Sequence, residues 1–150
     1  MNRFLVMKEV KNIKEPVIFN DSGQVIRVTD DMEQVLRNPI DQINLQHLCL
    51  LRWLRQFNLP SIPLEKLVVY SNANTILKNL TNKSAITKIV IHKERLIERI
   101  DKLQARYSKK CFTETDLLYL SFQFILPKRS MLCRCMEYML MNERCPMPKL

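Results

Sequence analysis

Apolar and polar positions follow two different periods along this chain, and the change between them predicts its elements. Short apolar runs with a period near two predict strands at residues 4–12, 17–20, 24–28, 66–71 and 88–92. Residues 38–57 instead place apolar side chains three and four positions apart, which indicates a helix. Its start is well marked, because Asn38 is a favoured N-cap residue and Pro39 suits the first helical position.

The remaining segments complete an α/β outline. The polar residues 29–37 predict a turn with some helix at its end, and a short helical turn is expected between residues 71 and 88. Three further helices are predicted at residues 93–107, 114–126 and 130–142. This order indicates an α/β fold with a mixed β-sheet. We therefore expect a sheet-containing domain at residues 1–92 and a helical C-terminal extension at residues 93–150.

Composition narrows the class of protein. With 150 residues and 47% hydrophobic residues, the chain has the length of one domain and enough apolar surface for a core. No apolar run approaches the ~18 residues of a membrane span. The apolar start is followed at once by Lys8, Glu9 and Lys11, which is unlike a signal peptide. Five cysteines, without the spacing of a disulfide framework or a zinc site, fit a cytoplasmic protein.

Charge suggests a partner. The chain has 24 Lys and Arg against 15 Asp and Glu, and residues 77–110 hold ten of the basic residues and only three acidic ones. Such a basic segment predicts a polyanion partner, most commonly DNA or RNA. The candidate contacts are Lys78, Lys83, Lys88, Arg95, Arg99, Lys102 and Arg106. The alternative is a solvated, salt-bridged helix face, because Glu94, Glu98 and Asp101 lie among these residues.

The first strand carries an unusual pair of side chains. Glu9 and Lys11 are two residues apart within an apolar strand, so both point to the same side of it. An exposed pair on an edge strand, with no chemical role, is one explanation. The other is a functional site in which a carboxylate and an ammonium are placed together.

These residues belong to a longer pattern that resembles a known family. "EVKN" resembles the E-x-K half-motif of the PD-(D/E)XK nuclease superfamily. Together, "FLVMKEVKNIKEPVIFNDSGQVIRV", "NPIDQINLQHLCLLRWL" and "LEKLVVYSN" look like the NERD (nuclease-related) domain, with three blocks in the correct order over about residues 4–75. The remaining half resembles the tail of Bacillus-type NERD proteins only loosely.

The resemblance implies a fold and a chemistry. The fold would be an incomplete PD-(D/E)XK nuclease-like core, and the reaction would be Mg²⁺-dependent hydrolysis of nucleic-acid phosphodiesters. Glu9 and the backbone carbonyl of Val10 would be metal ligands, since Mg²⁺ prefers hard oxygen donors. Lys11 would orient the nucleophile or pair with the scissile phosphate. Gln42, which matches the glutamine of the family's Asn-Pro-x-x-Gln helix, would help to hold water or phosphate.

The sequence also departs from the family pattern. The family has an acidic residue on a strand before E-x-K, but only eight residues precede Glu9 and none is acidic. Glu15 stands where the family usually has glycine. We therefore expect a copy truncated at both ends, with weak or no nuclease activity.

Three functions remain open at this level. They are a metal-dependent nuclease, a non-catalytic nucleic-acid-binding protein that keeps the fold, and an interaction module with a chance E-x-K. A second carboxylate close to Glu9 would favour the nuclease, and Asp21, Asp30 and Asp31 are the nearby acidic candidates. If residues 4–28 do not form a hairpin sheet, the interaction module is favoured.

Overall fold

The computed structural model describes residues 3–56, 61–81, 84–111, 113–116 and 118, with the backbone alone at residues 84 and 85. The strands are β1 (Leu5–Lys11), β2 (Val17–Phe19), β3 (Val25–Val28), β4 (Glu33–Leu36), β5 (Leu64–Tyr70), β6 (Leu77–Asn79) and β7 (Val90–His92). The helices are α1 (Pro39–Gln56), α2 (Ser84–Ile89) and α3 (Leu96–Arg106), the last entered through a 3₁₀ turn at Lys93–Arg95. The fold is therefore α/β.

One sheet is parallel and has the order β1-β5-β7. β1 and β5 pair along their whole length, from Leu5 opposite Leu64 to Lys11 opposite Tyr70. β7 is much shorter and pairs with β5 only from Val68 onward. The beginning of β5 therefore has no strand partner on the β7 side in the described part of the chain.

The second sheet has the order β4-β3-β2-β6. Strands β2, β3 and β4 form an antiparallel meander, and β6 adds to β2 in parallel. The β2–β3 turn contains Gly23 with a φ of 82°, a left-handed conformation that glycine adopts without strain. Residues 17–28 thus form the expected hairpin.

Helix α1 packs between the two sheets. Ile43 is fully buried and belongs to one cluster with Val17 and Phe19 of the second sheet and with Val68 and Tyr70 of the first. Further along the same helix, a second cluster contains Leu50, Trp53 and Leu54, with Ile62 and, from β1, the partly buried Leu5 and Met7. Trp53 is thus part of the core.

Helix α3 covers the opposite face of the parallel sheet. Leu67 and Val69 of β5 and Ile91 of β7 form a third buried cluster, against which Leu96 packs at the start of α3. Because side chains alternate along a strand, neighbouring residues of β5 contribute to different clusters on the two faces.

The structure corrects several expectations. Residues 29–37 contain strand β4 where a turn with some helix was predicted, and strand β6 lies in the segment expected to hold only a helical turn. The strand expected at residues 88–92 begins only at Val90, because α2 continues to Ile89. In place of one mixed sheet there are two, and β1 lies in a different sheet from the hairpin. Residues 4–28 therefore do not form one hairpin sheet, which is the outcome expected for an interaction module. Of the last two predicted helices, only residues 114–116 and 118 are described, and these are helical.

Candidate functional site

Strand β1 places Glu9 and Lys11 on the face of the parallel sheet that meets α1. Leu5 and Met7 of the same strand lie on this face and pack against the core of that helix. The Lys11 Nζ atom lies 2.9 Å from Glu9 Oε1, and the two side chains are 24% and 21% exposed. The pair is therefore partly buried beside an apolar core, where an ion pair is less screened than on an open surface.

Helix α1 brings the third predicted residue to this pair. Asn38 Oδ1 accepts a hydrogen bond of 2.9 Å from the backbone N–H of Ile40, which starts the helix at Pro39 and confirms the predicted N-cap. Gln42 then lies in the first turn, and its Oε1 accepts a 2.9 Å hydrogen bond from Lys11 Nζ. We refer to Glu9, Lys11 and Gln42 together as the Lys11 cluster.

The register of β1 determines the direction of the Val10 carbonyl. Leu5 N–H donates to Pro63 and the Lys11 carbonyl accepts from Ser71, so the odd-numbered residues of β1 direct their backbone groups toward β5. In a parallel pair the intervening residues direct theirs to the other side. The carbonyl of Val10 therefore lies at the edge of β1 that faces away from β5.

Backbone contacts beyond β1 hold this corner in place. Ser71 donates to the Lys11 carbonyl through its backbone N–H at 2.9 Å, and Thr75 Oγ1 donates to the carbonyl of Ile13. Thr75 is itself buried. Sequence reasoning did not assign these two residues a role. The parallel pairing of β1 with β5 would have indicated Ser71, because it directly follows the residue opposite Lys11.

The acidic side chains that might have joined Glu9 lie elsewhere. Asp21 lies in the turn between β2 and β3, whereas Asp30 and Asp31 lie between β3 and β4, and all three are exposed. Among the described residues no group of three or more His, Cys, Asp or Glu side chains could hold a metal ion. This corner offers Mg²⁺ the Glu9 carboxylate and the Val10 carbonyl, and Lys11 already bonds that carboxylate.

Two titratable groups near this face have shifted pKa values. Burial raises the pKa of Tyr70, which lies opposite Lys11 in the register, to about 12. Burial, and secondly the ammonium of Lys66, lowers the pKa of His47, although a hydrogen bond to the Leu64 backbone acts in the opposite direction. Both shifts favour the neutral form of the side chain.

The predicted basic contacts are divided among several elements. Arg95 and Lys102 both pair with Glu98, and Arg106 pairs with Glu65 at 3.3 Å. These ion pairs agree with the alternative of a salt-bridged helix face.

The other basic residues form no ion pair with an acidic side chain among the described residues. Lys78 is exposed on β6, Lys88 is exposed near the end of α2, and Arg99 Nη2 donates to the Lys88 carbonyl. Lys83 lies outside the described residues. The Lys11 cluster and the basic residues of α3 therefore belong to different parts of the surface.

Comparison with known proteins gives no match. No family model matches the chain, and neither a curated protein nor a solved structure is significantly similar to it. Among the described residues, no helix is both long and apolar enough to cross a bilayer.

Proposed function

We propose that this chain binds nucleic acid through the Lys11 cluster, in an arrangement akin to a NERD domain of the PD-(D/E)XK superfamily, and that it hydrolyses phosphodiesters weakly or not at all. One observation carries the proposal. Lys11 on β1 and Gln42 on α1, 31 residues apart, share a hydrogen bond of 2.9 Å. Each had been assigned to one site by the resemblance, and no local pattern requires them to meet.

The cluster has suitable groups for a phosphate. A lysine ammonium has three N–H donors, and in the described part of the chain Lys11 directs two of them to Glu9 and Gln42. The third N–H group of the Lys11 ammonium can donate to a phosphate oxygen. Gln42 accepts through Oε1, so its amide nitrogen can also donate to the same ligand. Both side chains are held by a strand and a helix, which limits the entropy lost on binding.

The charges of the Lys11 cluster favour binding of nucleic acid over hydrolysis of its phosphodiesters. Phosphodiester hydrolysis of the metal-dependent kind needs a cation to activate water and to stabilise charge on the phosphate. Among the described residues, Glu9 supplies the one carboxylate of the Lys11 cluster, and the ammonium of Lys11 competes with a cation for it. A Mg²⁺-dependent nuclease remains the second candidate, since the register places the Val10 carbonyl and this carboxylate on adjacent residues of one strand.

The binding test compares two lysines of the same strand. Lys11→Ala and Lys8→Ala each remove one positive charge from β1, but Lys8 is exposed and lies on the opposite face. Fluorescence anisotropy with labelled DNA and RNA should show salt-sensitive binding, with a log–log salt slope that falls by about one in Lys11→Ala only. Equal effects of the two substitutions would contradict a phosphate contact at Lys11, and the absence of binding at low salt would remove nucleic acid as the partner.

Substitution of Glu9 separates binding from catalysis. In a binding site Glu9→Gln removes a negative charge next to the phosphate, so affinity should increase. In a metal-dependent nuclease the same change removes a ligand, so cleavage of plasmid and single-stranded DNA in Mg²⁺ or Mn²⁺ should be lost. Robust cleavage by the wild-type chain that both Glu9→Gln and Lys11→Ala abolish would overturn the assignment of weak or absent activity.

A further inference from the structure

A cavity of about 360 Å³ lies at the opposite end of the parallel sheet from the Lys11 cluster. It forms because β7 begins opposite Val68, so the edge of β5 at Leu64–Lys66 has no strand beside it there. The end of α2 and one side of α3 line the remaining walls. The cavity is thus a consequence of the different lengths of two neighbouring strands.

The lining of this cavity is strongly basic. Lys66, Lys88, Arg99 and Arg106 line it together with a single carboxylate, that of Glu65. We call these four basic residues and Glu65 the basic cavity. Clustering of like charges costs free energy unless an anion compensates them.

The one carboxylate is already engaged. Glu65 Oε1 accepts a hydrogen bond of 2.6 Å from the Tyr107 hydroxyl and forms an ion pair of 3.3 Å with Arg106. Lys66 Nζ donates to the neutral amide oxygen of Asn44 at 2.8 Å. Among the described residues, no acidic side chain forms an ion pair with Lys66 or with the two remaining cations of the cavity.

Arg99 indicates what kind of ligand the cavity accepts. Its Nη2 donates to the carbonyl of Lys88 at 3.0 Å, while its Nε is buried and has no hydrogen-bond partner among the described residues. A buried N–H without an acceptor is unfavourable, and an oxyanion supplies one when the Arg99 side chain turns its Nε, which has almost no accessible surface, toward the cavity. The planar guanidinium is well suited to bind two oxygens of one phosphate or carboxylate group.

We infer that the basic cavity binds the dianionic phosphate group of a small phosphomonoester. Lys88 and Arg99 lack acidic partners among the described residues, and Lys66, whose Nζ is held by Asn44 of α1, adds a third positive charge at the sheet edge. Such a set suits a doubly charged group better than a carboxylate, and the volume of about 360 Å³ leaves room for more than the phosphate itself. This site is independent of the proposed function, because it shares no residue with the Lys11 cluster.

The test measures phosphate binding to the full chain by isothermal titration calorimetry at constant ionic strength. The probes are inorganic phosphate, a nucleoside 5′-monophosphate, the corresponding nucleoside and chloride. We expect binding of the first two and not of the last two. Tighter binding of the monophosphate than of inorganic phosphate supports an organic phosphomonoester, whereas equal binding of the two would refute the phosphomonoester and indicate the free ion as the ligand. Absence of phosphate binding, or binding of the nucleoside alone, would overturn the inference.

Variants locate the binding in the cavity. Lys88→Gln removes an exposed charge of the basic cavity, and Lys78→Gln makes the same change on β6, away from it. We expect about tenfold weaker phosphate binding in Lys88→Gln only. Arg99→Lys keeps the charge but removes Nε, so it should weaken binding by a similar factor. Equal effects of Lys88→Gln and Lys78→Gln would show a general charge effect and refute the site, and unchanged binding in Arg99→Lys would refute the role given to Nε.

Discussion

The ion pair within the Lys11 cluster allows a quantitative test of how this corner is held together. Lys11→Met keeps the length of the side chain but removes the ammonium from Glu9 and from Gln42. The partly buried carboxylate then loses its cation and the amide oxygen loses a donor. Glu9→Gln removes the negative charge instead, and the double variant replaces the pair by two neutral groups of similar size.

Exposure sets the expected magnitude. The side chains of Lys11 and Glu9 are 24% and 21% exposed, between an open surface pair and a fully buried one. Exposed pairs contribute about 0–1 kcal/mol, and breaking a buried pair costs about 3–5 kcal/mol. We therefore expect Lys11→Met to lower the free energy of unfolding by about 1–3 kcal/mol, with a coupling energy between the two positions of about 1–2 kcal/mol.

The assay is urea unfolding followed by the fluorescence of Trp53, the only tryptophan, which is buried. All four members of the cycle are measured at neutral pH, and far-UV circular dichroism checks for two-state behaviour. Lys8→Met serves as the charge-matched control and should change stability by no more than about 0.5 kcal/mol. If the two single substitutions are additive to within about 0.5 kcal/mol, the ion pair contributes nothing and the reasoning is wrong.

Three further predictions concern α1 and its surroundings. Ile43→Ala should lower the free energy of unfolding in urea by about 2–5 kcal/mol, because the Ile43 side chain is fully buried. Leu48→Ala truncates a side chain that is 51% exposed and should lower it far less. Similar losses in the two variants would contradict the packing of α1. Asn38→Ala should cost about 1 kcal/mol because it removes the N-cap acceptor, whereas Asn38→Asp keeps that acceptor and should recover most of the loss in the same assay. Burial and Lys66 lower the pKa of His47, so its contribution to stability is complete above the unfolded-state value of about 6.5 and is lost as the pH falls through the lower folded-state value. His47→Gln should therefore flatten the fall in Tm below about pH 6.5, and an unchanged pH profile would contradict this assignment.

The sequence predicted those elements whose signals are local. Helix α1 was expected at residues 38–57 and spans Pro39–Gln56, because the cap residue and the apolar period both lie within the segment. Strand β4 was missed because three of its four residues are exposed and its first two, Glu33 and Gln34, are polar. β4 is a strand because it pairs with β3, and the sequence of β4 itself does not predict that pairing.

The main error of the sequence-based prediction was in which strands pair with each other. Alternation of side chains predicts that a segment is a strand, but it does not say which strand lies beside it. β1 pairs with β5 in one sheet, and the hairpin that directly follows β1 along the chain joins another. The expectation of a single mixed sheet therefore assumed that strands close in sequence are neighbours in space, as they are in most proteins.

The candidate site was predicted to a different extent for each residue. The alternation within β1 placed Glu9 and Lys11 on one face, and the structure has them in contact. Gln42 came only from the resemblance, since nothing in α1 alone distinguishes it from other helical glutamines. The alternative of a salt-bridged helix face anticipated the ion pairs of Glu98, but the pairing of Arg106 with Glu65 of β5 was not predicted, because those two residues are distant in sequence.

The pairing of β1 with β5 also affects the order in which the molecule folds. Leu5 and Leu64 are 59 residues apart in the chain, whereas Val17 and Arg27, paired in the β2–β3 hairpin, are ten apart. Contacts between distant segments close large loops and generally form later than local ones. We expect the meander of β2, β3 and β4 to form before β1 docks. The contact between Lys11 and Gln42 then arises only late in folding, so phosphate binding at this corner would appear after most of the secondary structure has formed.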